Sequence, residues 1–438
     1  MHLPEESGKK LRSANAFFAV LDRLKAHPLA RLGPGLITGV ADDDPSGIAT
    51  YSQAGAQFGL NMLWTMPLAY PLMAAIQIIC AQIGRVTGRG LAANIKKAFP
   101  PFVLKGVVLL LLIANTLNIA ADVAAMGEVA ELVSGFDRHL MTAVFVIVTL
   151  LLQIFVPYHR YVFFLKWLTL SLLAYAAVLF TVEVPWGEVA LRTMWPKLTL
   201  NFSAAAVVVG IFGTTISPYL FFWQASEEVE DMHASRGASL LKNPSAAPSE
   251  LRRIQWDTWS GMLYSDLTAY FIILATAVTL NVSGITDIET AAQAASALRP
   301  LAGDFAFLLF ALGILGVGMI GVPVLAGSAA YALAEAMGWQ SGLERKAKDA
   351  RGFYSVIAVS VLAGLLIQYS PISPMRALFW SAVLNGVVAV PLMVVILLIA
   401  SRKSVMGEFT SSRHIVVLGW IGTAIMGLAA VLMLIPGD

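Results

Sequence analysis

The segment Gly39-Val40-Ala41-Asp42-Asp43-Asp44-Pro45-Ser46-Gly47 sets three consecutive carboxylates, a proline and a glycine inside a stretch, residues 36–58, that is otherwise long enough and apolar enough to cross a bilayer. An acid at bilayer depth costs roughly 2.5–3.5 kcal/mol even on lenient insertion scales. Three in a row must therefore face protein or water, and such a position is a functional one. Proline removes a backbone donor, so the helix is expected to unwind at this point. A second interruption of the same kind, Gly210-Ile211-Phe212-Gly213-Thr214-Thr215-Ile216-Ser217-Pro218-Tyr219, lies within residues 203–226.

Apolar runs recur near 36–58, 62–84, 103–126, 139–156, 161–181, 203–226, 258–281, 305–336, 353–369, 377–400 and 414–435, which predicts eleven membrane spans. Only 13% of residues are charged, about half the share in soluble domains. The interruptions fall in the first and sixth spans. Five is odd, so a second set of five spans enters the membrane upside down, and matched breaks five spans apart predict an inverted repeat with its site at the repeat interface. The expected fold is an all-α polytopic membrane protein of the LeuT-like kind. It divides into a tail at 1–31, a 5+5 transporter core at 32–401 and an additional eleventh span within 402–438. Lys and Arg concentrate in alternate loops, leaving only Arg138, Arg192, Lys197, Arg299 and Arg376 on the other side. That bias places the N-terminus in the cytoplasm and the C-terminus outside a plasma membrane. The first 31 residues mix Lys9, Lys10, Arg12, Arg23, Lys25 and Arg31 with apolar positions and read as a retained tail, not a signal peptide. Residues 227–253, opening with Glu227, Glu228, Glu230 and Asp231, read as a solvated acidic linker able to funnel cations.

Several function classes drop out. The 29 Lys plus Arg nearly balance the 27 Asp plus Glu, so no basic face remains for nucleic acid. One cysteine, Cys80, rules out an intramolecular disulfide and thiolate clusters, and its place in an apolar run fits packing. Gly316-x-Gly318-x-x-Gly321 matches a dinucleotide fingerprint in letters only, because no strand precedes it; small residues for close helix packing explain it. No phosphate-binding loop occurs, so no nucleotide is expected.

Unwinding frees backbone carbonyls beside the carboxylates and hydroxyls, a donor set suited to a hard cation. Gly33-Pro34-Gly35, Asp44-Pro45-Ser46-Gly47 and Gln53-Ala54-Gly55 resemble the first helix of the natural resistance-associated macrophage protein family of divalent metal transporters. Leu63-Trp64, Gln77, Gly84, Thr87-Gly88 and Leu91-Ala92 are similar to its second span. Typical members carry Asp-Pro-Gly-Asn in the first helix and Ala-Thr-Val-Met-Pro-His in the sixth. The Asp, Asn and Met side chains and two carbonyls there bind Mn²⁺ or Fe²⁺. The resemblance assigns the Asp to Asp44, and puts Gly47 at the Asn, Ser217 at the Met, Tyr219 at the His, and the two carbonyls at Ala41 and Thr214. Asp43 is expected to act through water, and Asp42 is left unassigned. Losing the soft thioether disfavours transition-metal selectivity. Two shortened side chains are expected to enlarge the cavity, which suits a partly hydrated Mg²⁺. These departures resemble the family's magnesium-transporting branch, with Mn²⁺ accepted as well.

In proton-coupled relatives the third span carries an Asp and, three residues later, a Glu. Here the pair is Asp122 and Ala125. Tyr219, with a reference pKa of about 10, is a poor replacement for the titrating His. Uncoupled, gradient-driven uptake follows, with Asp122, Asn385 and Glu128 as candidates to line the ion's route. The metal is cargo, no cofactor or obligatory protein partner is expected, and the partners are the ion and the lipid bilayer. The alternatives are a proton-coupled Mn²⁺ or Fe²⁺ importer and a carrier of amino acids or organic cations. An intramembrane aspartyl protease is disfavoured by the lack of a Gly-x-Gly-Asp element.

Overall fold

The computed structural model describes residues 34–156, 165, 168–197, 201–343, 345–367 and 372–433. The expected tail at 1–31 lies outside the described residues. The chain folds into helices packed on helices. Proline decides the first of them: α1 runs Pro34–Asp42 and α2 runs Pro45–Phe58, with Asp43 and Asp44 non-helical between them. There follow α3 (Thr65–Thr87), α4 (Leu91–Ala98), α5 (Pro101–Ser134) and α6 (Arg138–Phe155). The sixth expected span is likewise split, into α7 (Phe202–Thr215) and α8 (Pro218–Ala234). Beyond it lie α9 (Ala247–Thr276), α10 (Ala306–Met337), α11 (Arg351–Ile367), α12 (Pro374–Ala400) and α13 (Arg413–Leu432).

Eight described stretches are long and apolar enough to cross a membrane. They coincide with eight of the eleven expected spans. The other three differ for distinct reasons. The first is divided into two pieces of 9 and 14 residues, the ninth is a helix of 17, and the fifth falls partly outside the described residues. Val144, Ile147, Leu151 and Phe155 of α6 and Val417, Ile421 and Leu428 of α13 are exposed, as apolar side chains are where a membrane covers them.

The broken helices sit at the centre because small residues let backbones close on them. A Cβ on Gly39 would lie 2.2 Å from the Gly261 carbonyl of α9, and one on Gly213 would lie 2.0 Å from the Ala382 carbonyl of α12. The Gly316 to Gly321 pattern does the same work. A Cβ on Gly321 would come 3.1 Å from the Asp44 Cβ, and one on Gly318 would come 3.3 Å from the Pro45 ring. Those glycines seat α10 against the first break.

The acidic run corrects an expectation. It is helical, not linker: α8 continues through it to Ala234, with Glu227 and Glu228 buried, and only residues 235–246, mostly exposed, form the connection to α9. Glu228 meets Arg253 at 2.5 Å, and Arg253 and Arg85 both pair with Glu250, at 3.2 and 3.1 Å. A buried carboxylate needs such a partner, and Arg253, at the end of the same 227–253 segment, reaches Glu228 only because the chain turns back into α9.

Candidate functional site

Each break is shaped by a proline that cannot donate to the residue four positions earlier. Pro45 leaves the Ala41 carbonyl without its helical partner, and Pro218 does the same for Thr214. The two carbonyls that the resemblance singles out are thus freed by the sequence itself. Hydroxyls meet them: Tyr219 Oη approaches the Ala41 oxygen at 3.4 Å, and Ser217 Oγ donates toward the Thr214 oxygen at 2.6 Å and the Gly213 oxygen at 2.7 Å. A carbonyl has a second lone pair, so neither contact closes it to a further ligand.

Asp44 joins the breaks. It is the N-cap of α2, where one carboxylate oxygen accepts from the Gly47 amide at 2.9 Å and from Ser46 Oγ at 2.6 Å. Its other oxygen accepts from Tyr219 Oη at 3.1 Å and from Asn118 Nδ2 at 3.2 Å. Asn118, on α5, also donates to Asp122 at 3.0 Å and accepts from Asn385 Nδ2 of α12 at 2.7 Å. Asp44, Asn118, Asp122, Asn385 and Tyr219 therefore form one network. All are fully buried.

The remaining expected residues divide. Asp42 and Asp43 point away from that network, toward α9, where Ser265 Oγ lies 2.5 Å from Asp42 and 3.0 Å from Asp43. Glu128 is not with Asp122; it accepts from the Ala291 amide at 2.8 Å. Gly47 does not open a cavity. A Cβ there would meet Thr214 Oγ1 at 3.0 Å and Tyr51 Cε2 at 3.3 Å, so neighbouring side chains take the space that a longer residue vacates. Ser265 was missed from sequence, and Asn118, four residues before Asp122, was legible as that residue's hydrogen-bond partner but not as a partner of Asp44. The only signal of Ser265 is that it is a polar residue inside an apolar span.

Contacts flank the site toward both ends. A cavity of about 380 Å³ between α2, α7 and α12 includes Ala49, Gln53, Gln57, Asp287 and Arg376 in its lining. Residues 286–289 run along it: Gln53 Oε1 accepts from the Ile288 amide at 2.9 Å, Gln53 Nε2 donates to the Thr286 carbonyl at 3.1 Å, and Arg376 pairs with Asp287 and Glu289 at 3.1 and 2.5 Å. At the opposite end, the first turn of α1 is held by Asp257, which accepts from the Gly35 amide at 2.7 Å, and by Thr38 donating to Gln224 at 2.5 Å. A second cavity, of about 560 Å³, lies among α8 and α10 residues including Glu230, His233 and Glu335. Among the described residues, no three His, Cys, Asp or Glu side chains converge as a metal cluster. Any ion bound here must draw on carbonyl, hydroxyl or water oxygens beside Asp44.

A family model described as natural resistance-associated macrophage protein-like matches residues 35–436. The chain belongs to the Nramp family. Its relatives include the divalent metal cation transporter MntH of Klebsiella pneumoniae (strain 342), 26% identical over 407 residues that cover 91% of this chain and 92% of the relative. MntH of Acidiphilium cryptum (strain JF-5) is 26% identical over 95% of this chain and 94% of its own. Among solved structures, a manganese transporter of Eremococcus coleocola superposes with a TM-score of 0.70 at 17% identity, covering 92% of this chain and 85% of the other. MhsT in complex with L-phenylalanine superposes at 0.60 and 13% identity, covering 91% and 98%. The fold is thus the LeuT-like one expected from the paired breaks. The MntH relatives are divalent metal cation transporters, not enzymes, so a metal is cargo here and not a cofactor.

Proposed function

We propose that this Nramp protein carries divalent metal cations across a membrane, with a largely hydrated Mg²⁺ as preferred cargo and Mn²⁺ also accepted, down the ion's own gradient. The observation that carries the reading is the meeting of the two breaks at Asp44: its carboxylate accepts from Tyr219, the residue after Pro218, and the same hydroxyl approaches the proline-freed Ala41 carbonyl. That set is all oxygen. Mg²⁺ keeps several waters and takes one or two carboxylates, whereas a thioether would favour softer ions. The relatives named as divalent metal and manganese transporters support a divalent cargo.

Uncoupled transport is supported by what surrounds Asp122. The position three residues on is Ala125, and Glu128 is engaged with the Ala291 amide instead. In the same reading Asp44, Ala41, Thr214 and Ser217 hold the ion at the breaks, and Tyr219 occupies the Asp44 and Ala41 oxygens until the ion arrives. Asp43, on the Ser265 side of the break, acts on that ion only through water, and Asp122 with Asn385 orients Asn118. The topology that goes with it has eleven spans, a cytoplasmic tail at 1–31, a core at 32–401 and the added span within 402–438, with the C-terminus outside a plasma membrane. Asp44→Ala should abolish divalent uptake into vesicles. Because Asp44 also caps α2, Asp44→Asn, which keeps an oxygen for the Gly47 and Ser46 donors, is the companion variant. Transport retained by both variants, each purified as a monodisperse protein, would remove the site.

A further inference from the structure

The first break offers carboxylates to two sides, Asp44 toward α5 and Tyr219, and Asp42 with Asp43 toward α9. We infer that Asp42, Asp43 and Ser265 form a second site for a hydrated divalent cation, on the α9 side of the break. This rests on the divalent-cation reading above. Asp42 and Asp43 are both buried, at 0% and 1% exposure. One oxygen of each lies against the same hydroxyl, that of Ser265, at 2.5 and 3.0 Å. A serine hydroxyl carries a single proton, so it satisfies one of these carboxylates at a time.

The other oxygens, Asp42 Oδ1 and Asp43 Oδ2, are buried with no hydrogen-bond partner, and so is Asp266 Oδ1 on the residue after Ser265. Among the described residues, no Lys or Arg forms an ion pair with Asp42 or Asp43. Two buried carboxylates with spare acceptors and no cationic partner have a large desolvation cost to offset, and a divalent cation offsets it directly.

The spacing and the donor chemistry fit a small divalent ion. Neighbouring ligands around an octahedral Mg²⁺, with bonds of about 2.0–2.1 Å, sit roughly 3 Å apart. Ser265 Oγ lies 2.5 Å from an Asp42 oxygen and 3.0 Å from an Asp43 oxygen, near that spacing, so the hydroxyl and either carboxylate suit neighbouring positions around one ion. Two carboxylates, one hydroxyl and water make a Mg²⁺-type ligand set. On this account the ion passes between Asp44 and the Asp42–Asp43 pair as the break turns from α5 toward α9.

The test uses Mn²⁺ as probe, followed by paramagnetic resonance on the purified full-length protein, with Mg²⁺ as competitor. Asp44→Asn should still bind one Mn²⁺ that Mg²⁺ displaces. Adding Asp42→Asn and Asp43→Asn should weaken that binding at least tenfold, and Ser265→Ala in the Asp44→Asn background should weaken it without the risk of three substitutions in one turn. If wild type binds Mn²⁺ and Asp44→Asn binds none, the second site is refuted and the transport reading stands. Equal binding by Asp44→Asn before and after the additional substitutions refutes it too. No binding to wild type would overturn both.

Discussion

Tyr219 stands where the ion must arrive. Its hydroxyl donates to Asp44 Oδ2 at 3.1 Å and approaches the Ala41 carbonyl at 3.4 Å, two of the groups assigned to the metal. A cation that binds both must displace this hydroxyl or draw it aside. A hydrogen bond to a charged acceptor contributes about 1.5–3 kcal/mol. At 3.1 Å this one is longer than the roughly 2.5–2.7 Å of strong hydroxyl–carboxylate bonds, so the low end, about 1.5 kcal/mol, applies. Tyr219→Phe removes the competitor and keeps the ring, which is fully buried. Since about 1.4 kcal/mol is a factor of ten in affinity, the variant should bind Mg²⁺ and Mn²⁺ up to about tenfold more tightly by calorimetry. Its melting temperature without added ion should fall, because Asp44 then has one donor fewer. Weaker binding by the variant would refute the reasoning, because it would make Tyr219 a net contributor to the ion's ligand shell.

Two further outcomes follow from the packing around the breaks. Gly39→Ala should force α1 away from α9, because its new Cβ would lie 2.2 Å from a backbone oxygen that cannot rotate aside. Overpacking of this kind costs about 1–3 kcal/mol, and Thr38→Cys, at a position now fully buried, should become reactive to a water-soluble thiol reagent in that background; unchanged protection would contradict the contact. Glu228→Gln should lower stability by about 1–3 kcal/mol, less than a fully buried pair would lose, because the Arg253 side chain is 31% exposed and keeps Glu250 at 3.2 Å. Thermal unfolding checks it, and an unshifted transition would mean that the Glu228–Arg253 pair contributes nothing.

Much of the architecture was legible because the bilayer imposes it. A proline after three acids in an apolar run has few readings other than a helix break facing protein, and the split into α1 and α2 falls at Asp43 and Asp44. What the sequence hid is whatever depends on a distant partner. The run from Glu227 to Asp231 looked solvated because Arg253 lies beyond it in the chain, on α9, and that pairing lets Glu228 be buried. Asn118 pairs with Asp122 one helical turn on, as its spacing suggests, but its contact with Asp44, like the role of Ser265, emerges only when α5 and α9 are brought to the first break. The cavity expected at Gly47 failed for the same reason. Removing a side chain says nothing about who fills the gap, and here Thr214 and Tyr51 do.

The central claim is that an all-oxygen site at the paired breaks moves a hydrated divalent cation without protons. The most direct measurement is Mg²⁺ uptake into proteoliposomes holding the purified protein, beside Mn²⁺ and with a pH reporter inside the vesicles. The account predicts saturable Mg²⁺ entry, inhibited by Mn²⁺, with no acidification. Mn²⁺ entry accompanied by proton influx, with no entry of Mg²⁺, would contradict it.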